Sequence, residues 1–306
     1  MEQTGVFTVP EELEEERFDA VVASLSEGQS RSYLKNLIKD GSVLLNGKTA
    51  KPGTRVHEND VITLVLPEKI VPDILPENIP LDILYEDDDI LVVNKPKGMV
   101  VHPAPGHYSG TLVNAVMYHC GESLSGINGV MRPGIVHRID RDTTGSVIIC
   151  KNDAAHNSIA QQLQEHTIVR RYFAILYDNI AEDEFTVNQP LGRDPRDRKR
   201  MAVRSDGKRA VTHCKVLKRF GQYTYVECRL ETGRTHQIRV HMAYIGHPLL
   251  GDFTYGAPSP DKGLEGQCLH ARRLRFVHPT SGELVELETP LPDYFTEVLK
   301  RLGNPE

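Results

Sequence analysis

Two hydrophobic periodicities divide the chain. Before residue 70, apolar positions recur every three or four residues in two short stretches, one from Phe18 and one over 30–39, and each predicts a helix. In the second, Leu34, Leu37 and Ile38 share a buried face, while Arg31, Lys35 and Lys39 recur every fourth residue as a basic stripe. Short β-like runs follow at Val43-Leu44-Leu45 and Val61-Ile62-Thr63-Leu64, and Asn46-Gly47 behind the first is a hairpin-turn signal. Beyond residue 81, strand-like runs at 90–93, 172–177, 223–230, 269–276 and 284–287 alternate with helical ones at 112–118, 154–166, 235–244 and 294–302. Asp153 and Thr235 are N-cap candidates, Gly246 is a helix stop, and Ser281-Gly282 joins the last two strands. Many strands with few crossover helices predict an α+β domain on a mixed, largely antiparallel sheet. Pro67, Pro72, Pro76 and Pro80 mark an extended connection. The expected organisation is a small α/β unit over 1–70, a linker over 71–80 and a large domain over 81–306.

Composition narrows the class. With 39% hydrophobic and 25% charged residues the chain reads as an ordinary soluble protein. No apolar run approaches the roughly 20 residues of a membrane span, and the first residues do not read as a signal peptide, so a cytoplasmic location is expected. The five cysteines are scattered without C-x-x-C spacing, and the thirteen histidines include no H-E-x-x-H, which argues against a disulfide framework, a metal or another cofactor. The net charge of -6 is unevenly spread. Residues 190–219, which include Arg198, Lys199 and Arg200, carry +8 and the remainder -14. Such asymmetry points to a polyanionic partner rather than to an evenly solvated loop.

Candidate chemistry lies in two charged clusters. In 134–145, His137, Arg138, Asp140, Arg141 and Asp142 interrupt two apolar runs. The flanks read as strands with Thr143-Thr144-Gly145 as the turn, which puts Asp140 at a strand end, suited to a nucleophile or general base. Taken alone, an Asp capping a turn by bonding its own backbone amides is the commoner reading. In 232–241 a strand end turns into a helix with Arg239 one turn inside, a setting that favours a phosphate or an Asp carboxylate.

These residues resemble a known family. His137-Arg138-Ile139-Asp140 with Thr143-Thr144-Gly145 is similar to the H-R-L-D-x-x-T-S-G motif of the ribosomal large-subunit type of RNA pseudouridine synthase. Residues 233–241 with Gly246, Pro248, Gly251, Asp252 and Tyr255 resemble its second hallmark, and Leu269-His270-Ala271 with His278-Pro279 its third. Ile139 replaces the usual Leu, Thr144 the usual Ser, and Arg170 the frequent Lys of a K-x-Y element that ends at Tyr172. Residues 102–106 and 110–115 look most like the D-type subgroup. Residues 17–65 resemble the small RNA-binding domain of ribosomal protein S4.

The resemblance implies isomerisation of uridine in RNA, without metal or cofactor, in a pseudouridine synthase fold preceded by the S4-like domain. Asp140 would be the essential nucleophile or base and Arg239 its ionic partner. Tyr172 would stack on the flipped base and assist loss of the C5 proton, and Leu269 would close the pocket. Arg138 would fill the space left by the base or touch a phosphate. Arg198, Lys199 and Arg200, together with Arg31, Lys35 and Lys39, would follow the RNA backbone. Large-subunit ribosomal RNA, free or in a pre-ribosomal particle, is the expected partner, with transfer RNA the other open substrate. The competing class is a non-catalytic RNA-binding or ribosome-assembly factor on the same fold.

Overall fold

The computed structural model describes residues 3–26, 31–66, 74–103, 107–121, 123–127, 133–256 and 264–303. The chain divides into two compact units, Met1–Pro72 and Asp73–Glu306. Among the described residues no helix is long and apolar enough to cross a membrane.

The first unit is a four-stranded antiparallel sheet covered by two helices. Its elements are β1 (Gln3–Thr8), α1 (Phe18–Leu25), α2 (Arg31–Lys39), β2 (Val43–Leu45), β3 (Lys48–Thr49) and β4 (Val61–Leu66), with strand order β1-β4-β2-β3. Asn46 and Gly47 both take positive φ, 52° and 73°, and so close the two-residue β2–β3 hairpin that their identities signalled. Phe18, Val22, Leu34, Ile38 and Ile62 meet in one core. Full burial of a side chain such as Phe18 stabilises the unit by about 1.5–3 kcal/mol. Lys35 and Lys39 are exposed on α2, opposite the buried Leu34 and Leu37, whereas the side chain of Arg31 lies outside the described residues. Strand β1 has no counterpart among the elements that the sequence predicts.

The second unit is built on β5 (Ile83–Glu86), β6 (Ile90–Lys95), α3 (Leu112–Cys120), β7 (Thr144–Cys150), α4 (Asp153–Gln164), β8 (Val169–Tyr177), β9 (Glu184–Asn188), β10 (Leu191–Arg193), β11 (Met201–Val203), β12 (Val211–Arg219), β13 (Tyr223–Leu230), α5 (Gln237–Tyr244), β14 (Leu269–Val277), β15 (Leu284–Glu288) and α6 (Asp293–Arg301). Its nine-stranded sheet runs β5-β6-β7-β14-β8-β13-β12-β9, with β15 on β14, and β10–β11 form a separate hairpin. Every pairing described is antiparallel except β7 with β14, so the sheet is mixed and largely antiparallel.

Both faces of the central strands are covered, and side-chain alternation assigns each residue to a face. Along β8, Tyr172, Ala174 and Leu176 join Leu269, Ala271, the α3 residues Leu112 and Val116, and the α5 residues Ile238 and Met242. The intervening Phe173 and Ile175 pack with Phe295, Val298 and Leu299 of α6. Burial on both faces explains why the sequence shows nearly continuous apolar runs here. Tyr172, Leu269 and α5 are thereby brought to one side.

Two local expectations are corrected. The cap of α4 is Asn152, whose Oδ1 accepts from the Ala155 amide at 2.9 Å, while Asp153 enters the helix and accepts instead from Ser125 Oγ at 2.7 Å. The cap of α5 is His236 and not Thr235; it is left-handed, with φ 55°, and makes no side-chain capping bond.

The parallel β7–β14 contact places Gly145 opposite Ala271. A Cβ on Gly145 would lie 2.4 Å from the Ala271 carbonyl oxygen, and its φ of 110° is a conformation L residues avoid. Gly145→Ala is expected to cost about 3 kcal/mol or more in urea unfolding; a loss below about 0.5 kcal/mol would show that the two strands can separate freely here.

Candidate active site

Asp140 does not sit at a strand end. Ile135 makes one bridge to Ile149, residues 136–140 have no regular structure, and β7 begins only at Thr144. The turn is Asp140–Thr143, closed by the Thr143 amide donating to the Asp140 carbonyl at 3.1 Å. Thr143 comes before the strand, and Thr144 and Gly145 lie within it. Three anchors hold this loop in place of a sheet. Ile139 is buried in the core. His137 Nε2 accepts the Ile148 amide at 2.9 Å. Fully buried Lys95 donates from Nζ to the carbonyls of Pro96, Met99 and Arg141 at 2.7, 2.8 and 2.9 Å. Burial brings the Lys95 pKa down to about 7, against the opposing charges of Asp142 and Asp140, while three carbonyl acceptors match the three N–H bonds of its ammonium form.

The carboxylate of Asp140 meets a side chain of α5. Arg239 Nη1 donates to Asp140 Oδ2 at 2.9 Å, and the same guanidinium grips Asp252 through Nε to Oδ2 at 2.6 Å and Nη2 to Oδ1 at 2.9 Å. One planar fork thus binds Asp252 with two bonds and Asp140 with one, a division a lysine ammonium would not reproduce. Asp252 is itself fixed, since its Oδ1 also accepts the Thr254 and Tyr255 amides at 3.0 and 3.2 Å. Despite its burial the arginine is held firmly charged by Asp252 and Asp140.

His236 completes the surround. Its Nε2 is 3.7 Å from Asp140 Oδ1, and its Nδ1 is hydrogen-bonded with the Tyr255 hydroxyl at 2.7 Å. Burial lowers the His236 pKa despite the pull of Asp140, so the ring is neutral and Arg239 supplies the positive charge. Tyr255 lies under two guanidinium groups, Arg239 at 5.1 Å and Arg200 at 5.2 Å from its ring centre, and its hydroxyl accepts the Met201 amide at 2.8 Å. The entrance to α5 is pinned by Gln237, whose Oε1 accepts from Thr232 Oγ1 and the Arg234 amide and whose Nε2 donates to the Val211 carbonyl.

Asp140, His236, Gln237 and Arg239 line a recess of about 490 Å³ with Tyr172, Leu269, Arg138 and Arg170 on its walls. The volume suits a nucleoside-sized group. Tyr172 is 7% exposed, and burial raises its pKa, so its hydroxyl keeps its proton at neutral pH. Arg138 is exposed, with Nη1 3.2 Å from His102 Nε2. Arg170 is buried against Gly233, and its Nε has no hydrogen-bond partner among the described residues. A buried guanidinium atom left unmatched in a recess is a ready contact for an anion.

Asp140, Tyr172, Arg239, Arg138 and Leu269 are therefore gathered around one recess. Arg200 reaches it through Tyr255, whereas Arg198 and Lys199 are exposed on the β10–β11 turn and do not line it. Lys35 and Lys39 belong to the other unit. Sequence reasoning gives no role to Asp252, His236, Tyr255 or Arg170. The first three stand inside the second motif, but their convergence on Arg239 depends on a turn whose path spacing does not reveal.

Comparison with known proteins agrees with this geometry. Residues 89–244 match the family model described as RNA pseudouridylate synthase, and residues 16–62 match the S4 domain. The chain is 52% identical over 295 residues to the uncharacterized RNA pseudouridine synthase YlyB of Bacillus subtilis (strain 168), covering 96% of this chain and 97% of that one. It is 46% identical over 311 residues to ribosomal large subunit pseudouridine synthase D of Zymomonas mobilis, covering 98% of each. The solved structure of human RNA pseudouridylate synthase domain containing 1 superposes with a TM-score of 0.57 at 28% identity, over 75% of this chain and 98% of that one. The protein belongs to the RNA pseudouridylate synthase family, and its N-terminal unit contains an S4 domain. It is an isomerase acting on RNA.

His137 gives the site a pH signature. Burial, reinforced by the charge of Arg170, lowers its pKa to about 3 from 6.5. The folded pKa lies below the unfolded one, so the unfolded chain takes up the proton first and stability falls as pH drops from about 6.5 toward 3. This group alone contributes a slope of up to about 1.4 kcal/mol per pH unit. Urea unfolding across that range should show a shallower slope in His137→Gln, and identical slopes would mean that the ring is not held neutral.

Proposed function

We propose that the chain converts specific uridines of large-subunit ribosomal RNA to pseudouridine, with Asp140 as the nucleophile or general base. The observation that carries this reading is the Asp140 carboxylate, fixed by Arg239 at 2.9 Å beside Tyr172 in a recess of nucleoside size. The large-subunit substrate is supported by relatives named ribosomal large subunit pseudouridine synthase D at 42–46% identity over nearly the whole chain.

In this reading the target uridine flips into the recess at a cost of a few kcal/mol. Stacking on Tyr172 offsets about 1–3 kcal/mol of that. Asp140 acts at the ribose to break the bond between N1 and C1', and the detached uracil stays between Tyr172 and Leu269 while it turns. C5 then bonds to C1', the proton displaced from C5 leaves to solvent by way of a base in the site, to which the Tyr172 hydroxyl lends a hydrogen bond, and N1 takes up one proton from solvent. No group is gained or lost by the RNA. Burial of Leu269 and Tyr172 excludes water that would otherwise capture the sugar. Arg170 holds a phosphate at the recess wall, and Arg138 fills the gap in the stack.

Residues 81–306 serve as the catalytic domain, 71–80 as linker and 1–70 as the tethered RNA-binding unit. Lys35 and Lys39, with Arg31, follow the RNA backbone from that unit; Arg198, Lys199 and Arg200 do so from the β10–β11 hairpin. Tethering raises the local concentration of RNA without adding chemistry. The protein works in the cytoplasm, on free ribosomal RNA or on a pre-ribosomal particle.

C5-tritiated large-subunit transcript incubated with the protein in EDTA should release tritium, while Asp140→Ala and Asp140→Asn release none. Equal release by the variants would remove Asp140 from the chemistry. Tight, salt-sensitive binding with no release by the wild type would favour the binding-factor reading for that RNA.

A further inference from the structure

A second recess, of about 660 Å³, is lined among others by Lys97, Arg141, Asp142, Phe253, Leu264 and Glu265, two cations and two acids. Two of its walls are chain neighbours of the carboxylates that share Arg239. Arg141 follows Asp140, and Phe253 follows Asp252. The recess therefore belongs to the rim of the catalytic constellation without containing any catalytic residue.

Phe253 is 49% exposed, and among the described residues it packs on no other ring and no cation covers it. Yet it is held rigidly, because the Asp252 Oδ1 bonds to the Thr254 and Tyr255 amides close the turn on which it stands. A lone exposed apolar residue is ordinary. A half-exposed aromatic ring on a fixed turn, lining one recess with a guanidinium and one residue from Asp252, has the composition of a base-stacking platform. Arg141 adds the cation. Its Nε and Nη2 bind Asp142 at 3.0 and 3.1 Å, its side chain is 57% exposed, and Nη1 has no partner among the described residues. The Nη1 donor thus faces no protein partner in a recess that Phe253 also lines, and can meet a backbone phosphate.

We infer that Phe253 and Arg141 form a second nucleotide subsite, in which an unpaired base flanking the flipped uridine stacks on Phe253 and its phosphate meets Arg141. This rests on the reading of the first recess as the uridine site. The ring would replace part of the base stacking that is broken when the target uridine leaves its helix, and would make the enzyme prefer uridines whose neighbour is itself unpaired.

The chain contains no tryptophan, so Phe253→Trp places a single, selectively excitable indole at the position in question. Full-length Phe253→Trp is titrated with large-subunit ribosomal RNA transcript to saturation measured by filter retention, and in parallel with heparin, a polyanion without bases. Quenching of the tryptophan by the transcript and not by heparin is expected, with Phe253→Trp binding at least as tightly as the wild type and Phe253→Ala binding about 5- to 150-fold more weakly. Unchanged emission at RNA saturation, equal quenching by heparin, or wild-type affinity in Phe253→Ala would overturn the subsite. Tritium release by the wild type separates the two levels. Release without quenching sinks only the subsite, whereas quenching without release sinks isomerisation of that RNA and leaves Phe253 as a base contact.

Discussion

The site depends on a single guanidinium shared by two carboxylates. A buried charge is costly unless it is paired and its hydrogen bonds are filled. Arg239 meets that condition by giving two donors to fully buried Asp252 and one to Asp140. Asp252 answers the charge and fixes the plane of the fork, so the bond to Asp140 can orient its carboxylate without being the arginine's only counter-charge. Asp140 remains partly accessible in the recess while Asp252 is sealed below it. A sealed ion pair and a recess-facing carboxylate are thereby joined through three donors of one side chain.

The remainder of the fold delivers these groups to that point. Alternation along β8 and β14 assigns Tyr172 and Leu269 to the sheet face that α5 covers, and the close β7–β14 contact at Gly145 fixes where the Asp140 loop enters the sheet. Lys95 holds that loop by its Arg141 carbonyl, and the loop's own His137 side chain accepts the Ile148 amide of β7. Beyond the recess, Tyr255 links Arg239 and His236 to Arg200 and Met201 of the basic hairpin. A contact made by RNA on that hairpin is therefore one aromatic ring away from the residues that hold Asp140.

Much of this is legible in the sequence, for physical reasons. The run Tyr172–Tyr177 is apolar on both faces, Tyr223–Leu230 alternates in period two with Glu227 and Arg229 on one face, and Asn46-Gly47 demands the one turn that tolerates positive φ at both residues. The motifs with Asp140, Arg138 and Arg239 stand out because charge interrupts apolar runs. The Asp140 loop reads wrongly as strand because Ile135, Val136 and Ile139 are apolar enough for one, yet Ile135 and Ile139 pack singly into the core and Ile135 alone makes a bridge. Likewise Thr235 is a good capping residue on composition, but the chain gives the position to left-handed His236, whose ring is tied to Tyr255 instead. Asp252 is invisible as a partner because its meeting with Arg239 is a tertiary contact that no helical or strand period encodes.

A double-mutant cycle on Asp140→Asn and Asp252→Asn, read by urea unfolding, tests the shared guanidinium most directly. In the wild-type background Asp140→Asn should cost little, because Asp252 still neutralises Arg239. In the Asp252→Asn background the same change leaves a buried cation with no counter-charge and should cost about 2 kcal/mol more. Additivity within about 0.5 kcal/mol would contradict the account, for it would mean that the two carboxylates do not depend on the same arginine.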